Sequence, residues 1–138
     1  MAKAKKGVAK SSFVEKNLET ALEKLAVASK AVDKAVTVRA RDAKKNASAV
    51  KRLTKRKRGL SKRRKLAAAR VRKASNAELR GALQSVTKDL NSTNKELAKA
   101  KTVKAANAGE LAILKAAKRR TSGYNRGIAQ VDRALAKK

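Results

Sequence analysis

Cysteine, histidine and proline are all absent from this chain of 138 residues, and aromatic residues make up only 1% of it. Without Cys there can be no disulfide framework, thiol chemistry or zinc–thiolate site. Without His the chain lacks the commonest general base and the commonest transition-metal ligand. Since no combination of base, nucleophile and orienting group can be found in the remaining residues, we expect no enzymatic activity, no cofactor and no metal site.

Long hydrophobic runs are also missing, because no apolar stretch approaches the ~18 residues that a membrane-spanning helix requires. The first ten residues, MAKAKKGVAK, are basic but contain no apolar segment of the kind that a signal peptide needs. We therefore expect a cytoplasmic protein in which residues 1–11 form a disordered basic tail.

Positive charge is the dominant feature of the composition. Lys and Arg number 39 against 10 acidic residues, which gives a formal charge of +29 and an isoelectric point near 11.4. Such a charge opposes compaction through self-repulsion, so a polyanionic partner is expected to neutralise it.

The remaining composition is rich in the strong helix formers Ala, Lys, Arg, Leu and Glu. Three pairs of residues have the spacing of a capping box, in which a polar side chain caps the helix start and an acid three residues later reaches back: Ser12 with Glu15, Ser75 with Glu78, and Asn107 with Glu110. We predict an all-α fold, an elongated helical bundle or coiled coil of about three long helices. The predicted helices of this single domain, 12–138, are 12–73, 76–105 and 108–136.

The joints between these helices are less well defined by the pattern. Gly59 with Ser61 marks an alternative break at 59–61, since glycine weakens a helix interior. The second and third helices are expected to pack as an antiparallel hairpin because their connection is short. A heptad-like seam at 18–36 either completes a three-helix bundle or forms a homo-oligomer with a second copy, and the pattern does not choose. Tyr124, on the apolar stripe of the third helix, is predicted to be core.

One window of the chain, from 43 to 77, contains no acidic residue. Its cations are the candidate nucleic-acid-binding residues Lys44, Lys45, Lys51, Arg52, Lys55, Arg56, Lys57, Arg58, Lys62, Arg63, Arg64, Lys65, Arg70, Arg72 and Lys73. Duplex DNA carries one charge per ~1.7 Å of its axis, and neutralising its phosphates releases counterions. A solvated face would be the ordinary interpretation of a shorter charge run, but the length of this one favours phosphate binding.

Three kinds of polyanion match this electrostatic pattern: DNA, structured RNA and polyphosphate. The scarcity of aromatic residues argues against base stacking on single strands, and no recognition-helix signature is present. Sequence-independent binding of DNA is therefore favoured over RNA. A structured-RNA or ribosome-associated protein and a polyphosphate-binding coiled-coil scaffold are the alternatives.

The Lys- and Ala-rich helices around KRLTKRKRGLSKRRK give the chain a compositional resemblance, along most of its length, to bacterial histone-like nucleoid proteins of the linker-histone type. The chain departs from that family in lacking the proline repeats of its tails, and it lacks the β-arm pattern of HU-type proteins. The resemblance implies coating or compaction of DNA in the nucleoid. It implies no role for any individual residue.

Overall fold

The computed structural model describes residues 7–8 and 10–137, and it is built from two long helices. Helix α1 comprises Ser11–Lys73 and helix α2 comprises Ala77–Ala136, and no strand occurs in the described part of the chain. The all-α class is therefore confirmed. The prediction of about three helices is wrong, because the regions predicted as the second and third helices, 76–105 and 108–136, form one continuous helix.

The missing boundary lies at Asn107, which was predicted to open the third helix. Asn107 is instead buried inside α2, where its side-chain amide is hydrogen-bonded to Arg39 of α1. An amide engaged by the opposite helix does not cap a helix of its own, and with no proline nearby the backbone of α2 continues through this point. No hairpin between a second and a third helix is therefore formed.

Helix α1 is likewise unbroken at Gly59, so the alternative break at 59–61 does not occur. A glycine in a helix interior costs about 1 kcal/mol relative to alanine. Leu53 and Leu60 are both buried on either side of this position, and burying a leucine side chain contributes about 1.5–3 kcal/mol. The packing of these neighbours outweighs the local preference.

The starts of the two helices differ slightly from the predicted ones. In α1 the backbone N–H groups of Phe13 and Val14 donate to the carbonyl of Lys10, at 3.0 and 3.1 Å, and the helix begins at Ser11 rather than at 12. In α2 the cap is Asn76, whose Oδ1 accepts from the backbone N–H of Leu79 at 2.8 Å, so the predicted cap at the preceding serine is wrong by one residue. Residues 1–6 and 9 of the predicted tail lie outside the described residues.

The chain divides into two compact units, each containing a part of both helices. We call Val38–Ala112 the hairpin unit, and Met1–Thr37 with Ile113–Lys138 the terminal unit. In the hairpin unit α1 and α2 run antiparallel on either side of the connection at 74–76. The core of this unit is a thin seam of buried residues from both helices: Leu53, Leu60, Leu90, Thr93, Leu97 and Asn107.

In the terminal unit, the first part of α1 lies against the last part of α2. The Nδ2 of Asn125 donates to the hydroxyl of Ser29 at 3.2 Å, and the ammonium of Lys118 is 3.7 Å from a carboxylate oxygen of Asp33. The heptad seam at 18–36 thus has a partner in α2 of the same chain, and the described residues form no third helix that could complete a bundle. Its pairing with a second copy remains a prediction.

Candidate nucleic-acid interface

The fifteen cations predicted to bind nucleic acid all lie on one uninterrupted stretch of α1 in the hairpin unit, which we call the basic segment, residues 44–73. Every one of the fifteen side chains is exposed to solvent. The structure therefore brings the whole predicted set together on one 30-residue stretch of α1, which is ~45 Å long at a rise of 1.5 Å per residue.

The charges of the basic segment are not neutralised by acids of the protein. Among residues 7–8 and 10–137 the single ion pair joins Asp33 and Lys118, and it belongs to the terminal unit. The hairpin unit contains 23 Lys and Arg residues and five acidic residues, a formal charge of +18. Its cations therefore remain free to contact an external anion.

The packed side of the basic segment follows a heptad pattern. The residues that face α2 are buried or half-buried and recur at intervals of three, four or seven residues. They are Val50, Leu53, Leu60, Ala67 and Val71. This spacing is the seam of a coiled coil. The seam orients the rest of the helix surface, and nearly all of the cations, towards solvent.

On the solvent side, one row of cations repeats every seven residues without interruption: Lys44, Lys51, Arg58, Lys65 and Arg72. Seven residues are nearly two helical turns, so these side chains leave the helix on the same side at intervals of ~10.5 Å. Further cations fill the adjacent positions, among them Arg56, Arg63 and Arg70, which also recur every seven residues. The result is a broad cationic face along the whole segment.

Two of the fifteen cations occupy positions in the seam itself. In the heptad register, Lys57 falls between the buried Leu53 and Leu60, and Arg64 falls between Leu60 and the half-buried Ala67. Both cationic side chains are nevertheless exposed. Long cationic side chains achieve this by laying their methylene stems along the apolar surface and extending the charge into water. They add charge at the edges of the seam but interrupt its apolar packing.

Arg41 lies outside the predicted set because Asp42 ends the acid-free window, yet it is exposed on the same helix one turn before Lys45. The i, i+4 spacing to Lys45 was the signal that could have included it. Arg39, by contrast, is engaged by Asn107 across the hairpin. The part of α2 in the hairpin unit has six Lys and Arg residues but also four acids, so it contributes little net charge.

Within the described residues, no group of three or more Asp, Glu, His or Cys residues is arranged to hold a metal ion. Over the same ranges, neither helix contains a stretch long and apolar enough to cross a membrane.

Comparison with known proteins adds no family assignment: no protein-family model matches this chain, and neither a curated protein nor a solved structure matches it significantly.

Proposed function

We propose that this protein binds nucleic acid, and duplex DNA in preference to RNA, through sequence-independent contacts with phosphates. The observation that carries the proposal is the basic segment, in which fifteen exposed cations lie on one continuous helix without an acidic partner. Such a protein would coat or compact DNA in the nucleoid of the cytoplasm, in keeping with its compositional resemblance to histone-like nucleoid proteins.

The binding mechanism is electrostatic and relies on the length of the cationic face. Over the ~45 Å of the basic segment, a duplex with one charge per ~1.7 Å presents roughly 26 phosphates, of which those facing the helix can be contacted. Each contact releases condensed counterions, and this release supplies most of the free energy of non-specific binding. If about eight phosphates are engaged, the logarithm of the binding constant should fall with the logarithm of salt concentration at a slope of roughly −7.

The mixture of Arg and Lys in the segment suits phosphate recognition. The guanidinium of Arg can donate two parallel hydrogen bonds to one phosphate, whereas the Lys ammonium acts as a compact charge that tolerates many orientations. Neither group reads the sequence when it contacts the backbone, because phosphates are the same at every base pair. The expected affinity is therefore nearly independent of DNA sequence.

A preference for duplex over single strands follows from the position of the aromatic residues. The two aromatic side chains, Phe13 and Tyr124, both belong to the terminal unit, and the basic segment contains none. Proteins that bind single-stranded nucleic acid typically stack bases on aromatic rings, which contributes about 1–3 kcal/mol per base. The basic segment has no such surface.

A salt-titrated competition distinguishes the polyanions that share this electrostatic pattern. A labelled DNA duplex of about 30 base pairs, roughly twice as long as the ~45 Å basic segment, is displaced at about 150 mM salt by unlabelled competitors. The competitors are unrelated DNA, duplex RNA, ribosomes and polyphosphate. Equal competition by any DNA with weak competition by RNA is the expected result. If ribosomes or structured RNA compete at least tenfold better, or polyphosphate does, the proposal of a DNA-binding protein is wrong.

A further inference from the structure

The last part of α2 carries most of the positive charge of the terminal unit. Residues 113–138 contain eight Lys and Arg residues and one acidic residue, whereas the α1 part of this unit, residues 11–37, contains four Lys and four acidic residues. The cations of 113–138 do not belong to the basic segment, and the proposed function makes no use of them. A positive surplus on one part of a helix attracts anions of its own.

Three arginines form a row on one side of this part of α2, which we call the arginine row: Arg119, Arg126 and Arg133. They recur every seven residues, so their side chains leave the helix on the same side at intervals of ~10.5 Å. The row from Lys44 to Arg72 in the basic segment has the same repeat. All three arginines are exposed, and none of them forms an ion pair within the described residues.

An open cleft with a volume of about 410 Å³ lies beside the first two arginines of the row. Its lining residues all come from α2: Lys115, Lys118, Arg119, Ser122, Gly123 and Arg126. Ser122 lies between the two arginines, and its hydroxyl can donate a hydrogen bond to an anion. A β-carbon built on Gly123 meets no atom within 4 Å, so the cleft is open at this position. Lys118 is already 3.7 Å from Asp33, which leaves the other three cations for an external anion.

The acid and the aromatic residue of this part of α2 both point away from the arginine row. Tyr124 precedes Arg126 by two residues, which places it on the opposite side of a helix with 3.6 residues per turn. It lines an apolar groove together with Asp132. Tyr124 is 59% exposed there, so the prediction that it is a core residue is wrong. Asp132 therefore does not neutralise the row, and Tyr124 offers the row no surface for stacking bases.

The kind of cation also changes along α2. In the hairpin unit, five of the six cations of α2 are lysines, and four acids are interspersed among them, as on an ordinary solvated helix. In residues 113–138, half of the eight cations are arginines. The planar guanidinium of Arg can donate two parallel hydrogen bonds to one phosphate, whereas a Lys ammonium cannot. The phosphodiester backbone of nucleic acid is therefore the anion that suits the arginine row.

We propose that the arginine row, with Lys115 and Ser122, is a second phosphate-binding surface through which one molecule of the protein holds a second DNA duplex. This inference rests on the proposed function. The row and the basic segment share no residue and belong to different units, so each can contact its own duplex. The terminal unit has a formal charge of +11 in addition to the +18 of the hairpin unit, so charge remains for a second duplex when the basic segment is occupied. The protein then joins two duplexes as well as coating one.

Capture of a second duplex tests the proposal. A DNA duplex of about 30 base pairs is fixed to beads, saturated with the protein at about 150 mM salt and washed, and a labelled duplex of unrelated sequence is then added. The wild type should retain the labelled duplex on the beads. The triple variant Arg119→Gln, Arg126→Gln and Arg133→Gln should lower this capture by at least about fivefold. Its salt slope for the first duplex, measured by fluorescence anisotropy, should stay within about 1 of the wild-type slope, because the basic segment is unchanged.

The matched control removes three exposed lysines of α1 in the same unit: Lys16→Gln, Lys24→Gln and Lys30→Gln. It lowers the formal charge equally and should capture the second duplex like the wild type, and circular dichroism verifies that both variants remain helical. Three outcomes would each overturn the second surface: equal loss of capture in the control, a parallel loss of first-duplex binding in the arginine variant, or a wild type that binds the first duplex without capturing another. Failure of the wild type to bind the first duplex would instead overturn the proposed function itself.

Discussion

The side-chain amide of Asn107 forms two hydrogen bonds with Arg39 on the opposite helix. Its Nδ2 donates to the backbone carbonyl of Arg39 at 3.1 Å, and its Oδ1 accepts from the Nη1 of the same residue at 3.3 Å. The two residues are 68 positions apart in the chain, and Asn107 is 5% exposed. Because a buried amide must have its partners in place, this contact favours one alignment of α1 on α2 over shifted ones.

The first prediction concerns the contribution of this pair to stability. Asn107→Ala removes both hydrogen bonds and leaves a small gap in the seam, so we expect the free energy of unfolding to fall by about 1–2 kcal/mol. Urea unfolding followed by circular dichroism measures the change. The matched control is Asn125→Ala, which also removes an interhelical amide contact but at an exposed position, and should cost less than about 0.5 kcal/mol. Equal losses in the two variants would contradict a special role for Asn107.

The second prediction concerns the continuity of α1 at Gly59. The position is helical and exposed, and a β-carbon there meets no atom within 4 Å. Gly59→Ala should therefore raise the free energy of unfolding by about 0.5–1 kcal/mol through the better helix propensity of alanine. Thermal unfolding of the variant and the wild type gives the difference. A lower stability would show that residue 59 needs a non-helical backbone, as the alternative break at 59–61 would require.

The sequence was sufficient to predict the helical class and the extent of α1, because apolar periodicity extends along the whole segment and no proline interrupts it. It was not sufficient to predict that α2 continues through Asn107. An Asn followed three residues later by Glu110 has the same pattern whether it caps a helix or binds the opposite one, and only tertiary contacts decide. The exposure of the cations in the basic segment was predictable from charge, because the segment contains no acidic residue that could pair with a buried cation. The exposure of Tyr124 was not, because it depends on how closely two apolar stripes approach.

The third prediction tests whether binding depends on the position of charge or on its total amount. Two sets of four substitutions lower the formal charge equally. The first changes cations of the basic segment: Arg56→Gln, Arg58→Gln, Arg63→Gln and Arg64→Gln. The second changes the four lysines of α1 in the terminal unit: Lys16→Gln, Lys24→Gln, Lys30→Gln and Lys34→Gln.

If the four arginines contact phosphates, the first set should make the salt slope of DNA binding less steep by about 3–4, at roughly 0.9 per lost contact. The second set should change the slope by less than about 1, because those lysines alternate with acids and lie outside the basic segment. Fluorescence anisotropy at a series of salt concentrations measures both. Similar slopes for the two sets would mean that the basic segment is not the binding surface.

The fourth prediction separates the packed seam from the cationic face at two neighbouring lysines. Lys57 occupies a seam position between Leu53 and Leu60, whereas Lys55 lies on the side of α1 that faces away from α2. Lys57→Leu should raise the free energy of unfolding by about 1 kcal/mol, since a leucine at this position extends the apolar seam and no longer holds a charge beside it. Lys55→Leu removes the same charge from the same helix but has no apolar surface to cover. Its stability should therefore stay within about 0.5 kcal/mol of the wild type. Urea unfolding of the two variants measures both changes. A larger gain in the free energy of unfolding for Lys55→Leu would mean that the heptad register assigned to the basic segment is wrong. The placement of the row from Lys44 to Arg72 on the solvent side would then be wrong as well.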